Sequence, residues 1–136
     1  MAISVWEAPK PGNGFGLVYG SIKAHGDMGV PLPHGPDFFQ FSDHERMHSG
    51  LQEVGFVNLA VKSVDQIWGL KNASDICKSI MEASVRARGL LEEQTDSVRS
   101  AIFKEVEGGM QQFASDDGGF RVPMPAIIGS GMCPEH

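Results

Sequence analysis

The stretch that most limits this chain is its last apolar one, Phe120-Arg121-Val122-Pro123-Met124-Pro125-Ala126-Ile127-Ile128-Gly129-Ser130. It follows the turn residues Asp116-Asp117-Gly118-Gly119. Two prolines two residues apart cannot join a helical N–H ladder, so the stretch is extended. Alternate residues of a strand aim their N–H groups to the same side. Pro123 and Pro125 therefore both lack a donor toward one neighbour, and free pairing on both sides is expected only over residues 126–130.

The rest reads as an α/β chain. Ala2-Ile3-Ser4-Val5-Trp6 is short and apolar-rich, the pattern of a buried strand. Pro9 and Pro11 then block regular structure as far as Gly12. Leu17, Val18 and Ile22 give a modest helical stripe over residues 15–25. A loop with Pro31, Pro33 and Pro36 spans residues 26–41. Ser42-Asp43-His44-Glu45 has the form of a capping box, with Ser42 as the expected cap. Its helix runs to Val54, and Gly55 is the natural left-handed terminator. Val57, Leu59 and Val61 alternate, which predicts one strand over 56–68. Ile76, Ile80, Ala83, Ala87 and Leu91 predict one long helix over 73–92. Val98, Ile102, Val106, Met110 and Phe113 predict another over 96–114.

At 136 residues the chain is expected to be a single domain with one core. A net charge of −6 without a basic cluster excludes binding through phosphate neutralisation, so no nucleic-acid partner is expected. Apolar runs fall short of a membrane span, and Met1-Ala2-Ile3-Ser4 has no secretory pattern. Cys77 and Cys133 are isolated, which fits a reducing, cytoplasmic setting without a disulfide.

Several short patterns resemble chemistry, each with a plainer reading beside it. His44-Glu45-Arg46-Met47-His48 fits H-E-x-x-H, in which two histidines bind zinc and the glutamate activates water. It also sits in a first helical turn, where Glu45 is already used by the cap, and no third ligand is evident. Gly12-Asn13-Gly14-Phe15-Gly16 lies between a strand and a helix, as a nucleotide loop would, or is a flexible helix entry. Tyr19 and Lys23 have the spacing of a tyrosine acid assisted by a lysine, or are helix-face residues. His25, Asp27 and His34 face a pocket or solvent. Cys77, near a helix start, is a lowered-pKa thiol or a core residue.

Taken in order, Ile3-Ser4-Val5-Trp6, Gly16-Leu17-Val18-Tyr19-Gly20, Ala24-His25-Gly26-Asp27, Phe41-Ser42-Asp43, Glu53-Val54-Gly55-Phe56 and Val122-Pro123-Met124-Pro125-Ala126 form a pattern. The chain resembles the C-terminal half of class I S-adenosylmethionine-dependent methyltransferases, in the group similar to ubiquinone/menaquinone-biosynthesis enzymes. The resemblance implies a partial Rossmann-like sheet. Residues 2–6 would be the family's fifth strand, 56–67 its sixth, and the closing stretch its seventh, antiparallel between them. Residues 73–114 would be a helical insertion over the acceptor pocket.

No position matches the family's glycine-rich loop or ribose-binding acid. The resemblance therefore implies a cofactor, S-adenosylmethionine, that this chain alone does not hold, and no cofactor-binding residue is assigned. It implies a small-molecule methyl acceptor, with Tyr19, His25, Trp68 and Met124 as candidate binding residues and no catalytic or metal-binding residue assigned. The bare edge at Ile3–Trp6 predicts a homodimer or pairing with a complementary N-terminal half. The competing expectations are a non-enzymatic small-molecule binding or assembly module and, beyond that, a zinc hydrolase using His44, Glu45 and His48.

Overall fold

A computed structural model describes residues 1–134. Among these the chain is mixed α/β, with five α-helices and two small antiparallel sheets. It divides into two compact units, each assembled from separate stretches.

The first unit takes residues 1–8, 35–66 and the stretch from 124 onward. Its strands are β1 (Ala2–Trp6), β2 (Val57–Val64) and, at the chain's end, β5 (Ala126–Met132). The sheet order is β1-β5-β2, with β5 antiparallel to both neighbours. β5 pairs with β1 from Trp6↔Ala126 to Ala2↔Ser130, and with β2 from Val64↔Ala126 to Val57↔Met132. Two-sided pairing thus begins at Ala126, immediately past the second proline. The closing strand has the central position and the direction expected for it.

One helix, α2 (His44–Glu53), covers a face of this sheet. Met47 and Leu51, four apart and so on one helix face, are buried with Ile127. Ile3, Val5, Phe41, Phe56, Leu59 and Val61 complete the cluster. The helix starts one residue later than its capping box suggests. Ser42 ends a 3-10 turn over Gln40–Ser42, and the cap is Asp43, whose carboxylate accepts the Arg46 N–H at 2.8 Å. A carboxylate at this position also meets the positive end of the helix dipole. Gly55 ends the helix with a φ of 91°, as its sequence position implies. Asp43→Ala is expected to cost about 1 kcal/mol in urea unfolding, while Ser42→Ala stays within about 0.5 kcal/mol of the parent.

The second unit takes residues 9–34 and 67–123. It holds α1 (Gly14–His25), β3 (Ile67–Leu70), α3 (Asp75–Ala83), α4 (Val85–Glu92), α5 (Asp96–Gly109) and β4 (Phe120–Pro123). β3 and β4 form an antiparallel ribbon from Ile67↔Pro123 to Leu70↔Phe120. Val18 and Ile22 of α1, Ile76 and Ile80 of α3, Leu90 and Leu91 of α4, and Ile102 and Val106 of α5 are fully buried.

Three expected elements are broken in two. The strand expected over 56–68 ends at Val64, and Ile67 starts β3 in the other sheet. The closing stretch likewise splits at Met124-Pro125, with β4 before and β5 after. Pro125 has no N–H, and its carbonyl instead accepts the Glu7 N–H at 2.9 Å. The helix expected over 73–92 breaks at Ser84, whose backbone is extended (φ −126°, ψ 109°). Ser84 closes α3 by donating its N–H to the Ile80 carbonyl, 2.9 Å, and opens α4 by accepting the Ala87 N–H on its hydroxyl, 3.2 Å. The last helix ends at Gly109, five residues before the expected 114, and a 3-10 turn over Met110–Phe113 follows it. No helix among the described residues is long and apolar enough to cross a membrane.

Candidate functional site

The four residues singled out from the resemblance fall in different surroundings. Tyr19 is half-buried on α1, its ring 6.3 Å from that of Phe15 and tilted by 50°. His25 is the last residue of α1 and exposed, with Nε2 3.7 Å from the Glu105 carboxylate of α5. Trp68 is half-buried on β3. Met124 belongs to the first unit and is 1% exposed, a core side chain.

His25 and Trp68 line separate cavities of the second unit. The first, about 430 Å³, is bounded by His25, Asp27, Val30, Glu93, Gln94 and Val98. The second is an open hollow of about 590 Å³ lined by β3 residues, Trp68 among them, and by Ser79, Glu82 and Ala83 of α3. Ser79 and Glu82 are three apart on α3 and so share a face. An aromatic ring, a hydroxyl and a carboxylate can together hold a small polar molecule and take a proton from it. Neither Ser79 nor Glu82 stood out in the sequence, because helical spacing alone does not say which strand a helix faces.

A third cavity, about 470 Å³, lies among α3, α4 and α5 and was not anticipated. Cys77, Met81 and Phe103 supply its apolar lining, and Lys78, Arg88, Glu82, Glu92 and Glu107 its charges. Burial, assisted by the Glu107 carboxylate, pushes the Cys77 thiol up to about 12. This is the reverse of an activated cysteine, and Cys77 is 5% exposed. In a native-state reaction with an alkylating thiol reagent at pH 8, Cys133 is expected to label and Cys77 to stay unlabelled until urea unfolds the chain. The raised pKa adds stability that is complete below the unfolded thiol's value near 9 and is lost as pH rises from there toward 12.

The other sequence motifs resolve into structure. His44, Glu45 and His48 are all exposed on the first turns of α2, and His44 Nε2 lies 3.0 Å from the Ser63 hydroxyl. Among the described residues no three His, Cys, Asp or Glu side chains gather as a metal site. Gly12-Asn13-Gly14-Phe15-Gly16 forms the entry to α1. Asn13, 2% exposed, accepts the Gly16 N–H at 2.7 Å and the Lys10 N–H at 3.3 Å on one side-chain oxygen. The Asp27 carboxylate accepts the Gly29 N–H at 2.7 Å within its own loop. The turn before β4 is held by Asp117, which takes the Ser115 hydroxyl and the Gly119 N–H. Those bonds, first of all the one from Ser115, hold the Asp117 carboxyl below its usual range.

Compared with known proteins, the chain matches no family model and no curated sequence.

Proposed function

We propose that the chain is the acceptor-side half of a class I S-adenosylmethionine-dependent methyltransferase, with a Rossmann-like sheet shared with residues that bind the cofactor. One observation carries most of this reading. The chain's last strand lies between its first and its second strand, antiparallel to both, which is the arrangement the resemblance implies. In this reading the second unit supplies the acceptor pocket, and its helices α3 to α5 are the insertion over it. The hollow at Trp68, Ser79 and Glu82 is the better acceptor site of the two that contain a candidate residue. It joins an aromatic face to a carboxylate able to accept a proton from the methylated atom.

A second reading, a non-enzymatic small-molecule binding or assembly module, draws support from the glycine segment. There the backbone N–H groups of Lys10, Asn13 and Gly16 are spent on internal hydrogen bonds. Calorimetric titration with S-adenosylmethionine separates the two. The methyltransferase reading expects no saturable heat from these 136 residues alone. It expects saturable binding once a glycine-rich strand-loop-helix half of the family is joined ahead of residue 1. No heat from the joined protein, folded by circular dichroism, favours the binding module.

Partner choice follows from the sheet. β1 is an edge strand of the first unit, and its Ile3-Ser4-Val5-Trp6 stretch has no charge to deter pairing. In the proposed assembly that edge takes a strand from another chain, a second copy when no N-terminal half is present.

A further inference from the structure

The glycine segment Gly12-Asn13-Gly14-Phe15-Gly16 contains a bond with chemistry of its own, the peptide between Asn13 and Gly14. An asparagine followed by glycine is the pair most open to deamidation. The Gly14 nitrogen, which no side chain shields, can attack the Asn13 carboxamide carbon. A bond forms between Cγ and that nitrogen, and the bond from Cγ to Nδ2 breaks. The Gly14 amide proton passes through solvent to Nδ2, which leaves as ammonia. The product is a cyclic succinimide. Water then opens it at either carbonyl, to aspartate or to isoaspartate, in which the main chain runs through Cβ.

The native geometry withholds each part of that step. Asn13 is 2% exposed, and Gly14 and Phe15 after it are buried. The Asn13 side-chain oxygen accepts the Gly16 N–H at 2.7 Å and the Lys10 N–H at 3.3 Å, which fixes Cγ in place. The Asn13 N–H donates to the Lys10 carbonyl at 3.2 Å, and the Asn13 carbonyl accepts the Leu17 N–H at 3.1 Å. The backbone is therefore fastened on both sides of the residue. Its ψ is 162°. The ring needs the Gly14 nitrogen nearly eclipsed with Cβ about the Cα–C bond, and this extended ψ turns the two well apart. Closing the ring thus requires giving up the cap and opening the first turn of α1, by fraying of the helix end or by unfolding of the unit.

The two products differ in what they allow afterwards. Aspartate keeps the side-chain length and offers a carboxylate to the same two N–H groups, at a helix N-terminus that favours negative charge. Isoaspartate adds a carbon to the main chain where there is no slack, since even a Cβ on Gly16 would stand 1.8 Å from the Lys10 carbonyl oxygen.

We propose that Asn13 is a modification site gated by the fold: it deamidates when the entry to α1 opens, and the isoaspartyl form does not regain the native cap. The proposal does not depend on the methyltransferase reading, and its test uses neither cofactor nor acceptor.

Peptide mapping by mass spectrometry, with isoaspartate separated from aspartate by chromatography, follows Asn13 in the full chain at pH 8, in buffer and in denaturing guanidinium chloride. Asn13 is expected to deamidate about tenfold or more faster in the denaturant. There it is also expected to outrun Asn58 and Asn72, which precede Leu59 and Ala73. When denaturant is removed, isoaspartyl chains are expected to collect in the fraction without native circular dichroism, whereas Asn13→Asp refolds with a urea midpoint near the parent's. Equal Asn13 rates in buffer and denaturant overturn the proposal, as does an Asn13 that lags Asn58 and Asn72 in denaturant. It fails equally if isoaspartyl chains refold with the parent's midpoint. Should Asn13→Asp not fold, the parent's rates and the refolding of its isoaspartyl fraction decide alone.

Discussion

Gly16→Ala is expected to destabilise the protein by about 3 kcal/mol or more, although it places a better helix former inside a helix. A Cβ at Gly16 would stand 1.8 Å from the Lys10 carbonyl oxygen and 2.6 Å from its carbon. Both are backbone atoms, so no rotamer change relieves the clash. The same Lys10 carbonyl accepts the Asn13 N–H at 3.2 Å, while Asn13 caps the helix through Gly16. Moving Lys10 therefore strains the cap and leaves the buried Asn13 side chain short of a partner, a further cost of about 1–3 kcal/mol. Gly20 provides the control within α1. Nothing stands within 4 Å of a Cβ there, and Gly20→Ala is expected to stabilise by up to about 1 kcal/mol. Urea unfolding of both variants checks the contrast. Equal effects would mean that the glycines of residues 12–16 are not there for packing.

Gly129→Val carries the second large effect, about 2–3 kcal/mol of destabilisation, from overpacking the middle of β5. Gly129 sits between Ile3 of β1 and Val61 of β2, on the face that α2 covers. A Cβ there would lie 2.7 Å from both Cγ and Sδ of Met47 and 3.1 Å from a Leu51 methyl. Met47 is 1% exposed. The glycine is what lets α2 lie close on the central strand. Combining Gly129→Val with Met47→Ala is expected to cost less than the sum of the two single changes, since the shortened residue 47 makes room for the valine and the valine fills the space left behind. Strict additivity in thermal unfolding would show that Gly129 and Met47 do not meet.

Pro123 and Pro125 disclosed more of the fold than any other pair of residues. Missing donors decide where a strand can be paired on both sides, and that is local chemistry. The start of β5's two-sided pairing at Ala126 was legible for this reason, as were α1 and the Gly55 terminator. Of Met47, Leu51 and Val54, which the sequence puts on one buried stripe, Met47 and Leu51 are buried and Val54 is 69% exposed. Breaks within elements were harder to read. Ser84 interrupts a good helical stripe, because a hydroxyl that can cap a helix can also ride on its surface. The division of 56–68 between two sheets was missed because Val64 and Ile67 were read as a continuation of Val57, Leu59 and Val61, although Ser63 and Asp65 break the alternation between them. Ser42 and Asp43 are both good caps, and the choice fell to the residue whose carboxylate reached Arg46.

Candidate site residues were less legible than the fold. Trp68 was a candidate through the resemblance alone, and Ser79 and Glu82, which line the same hollow, depend on how α3 lies over β3. Gln94 sits in the polar run Glu92-Glu93-Gln94-Thr95, and nothing in that run sets it apart. Its burial comes from the α4–α5 corner folding over it. Met124, between the two prolines, was a candidate through the resemblance, and its side chain is 1% exposed.

The claim that joins fold to function is that β5 fastens β1 and β2 into one sheet and leaves β1 to take a strand from another chain. Sedimentation equilibrium of the 136-residue chain at tens of micromolar tests it most directly. The expected result is a species of twice the 14.7 kDa chain mass, shifted toward 14.7 kDa when Ser4→Pro removes an N–H from the side of β1 that faces away from β5. A parent chain that sediments at 14.7 kDa throughout that range would contradict it.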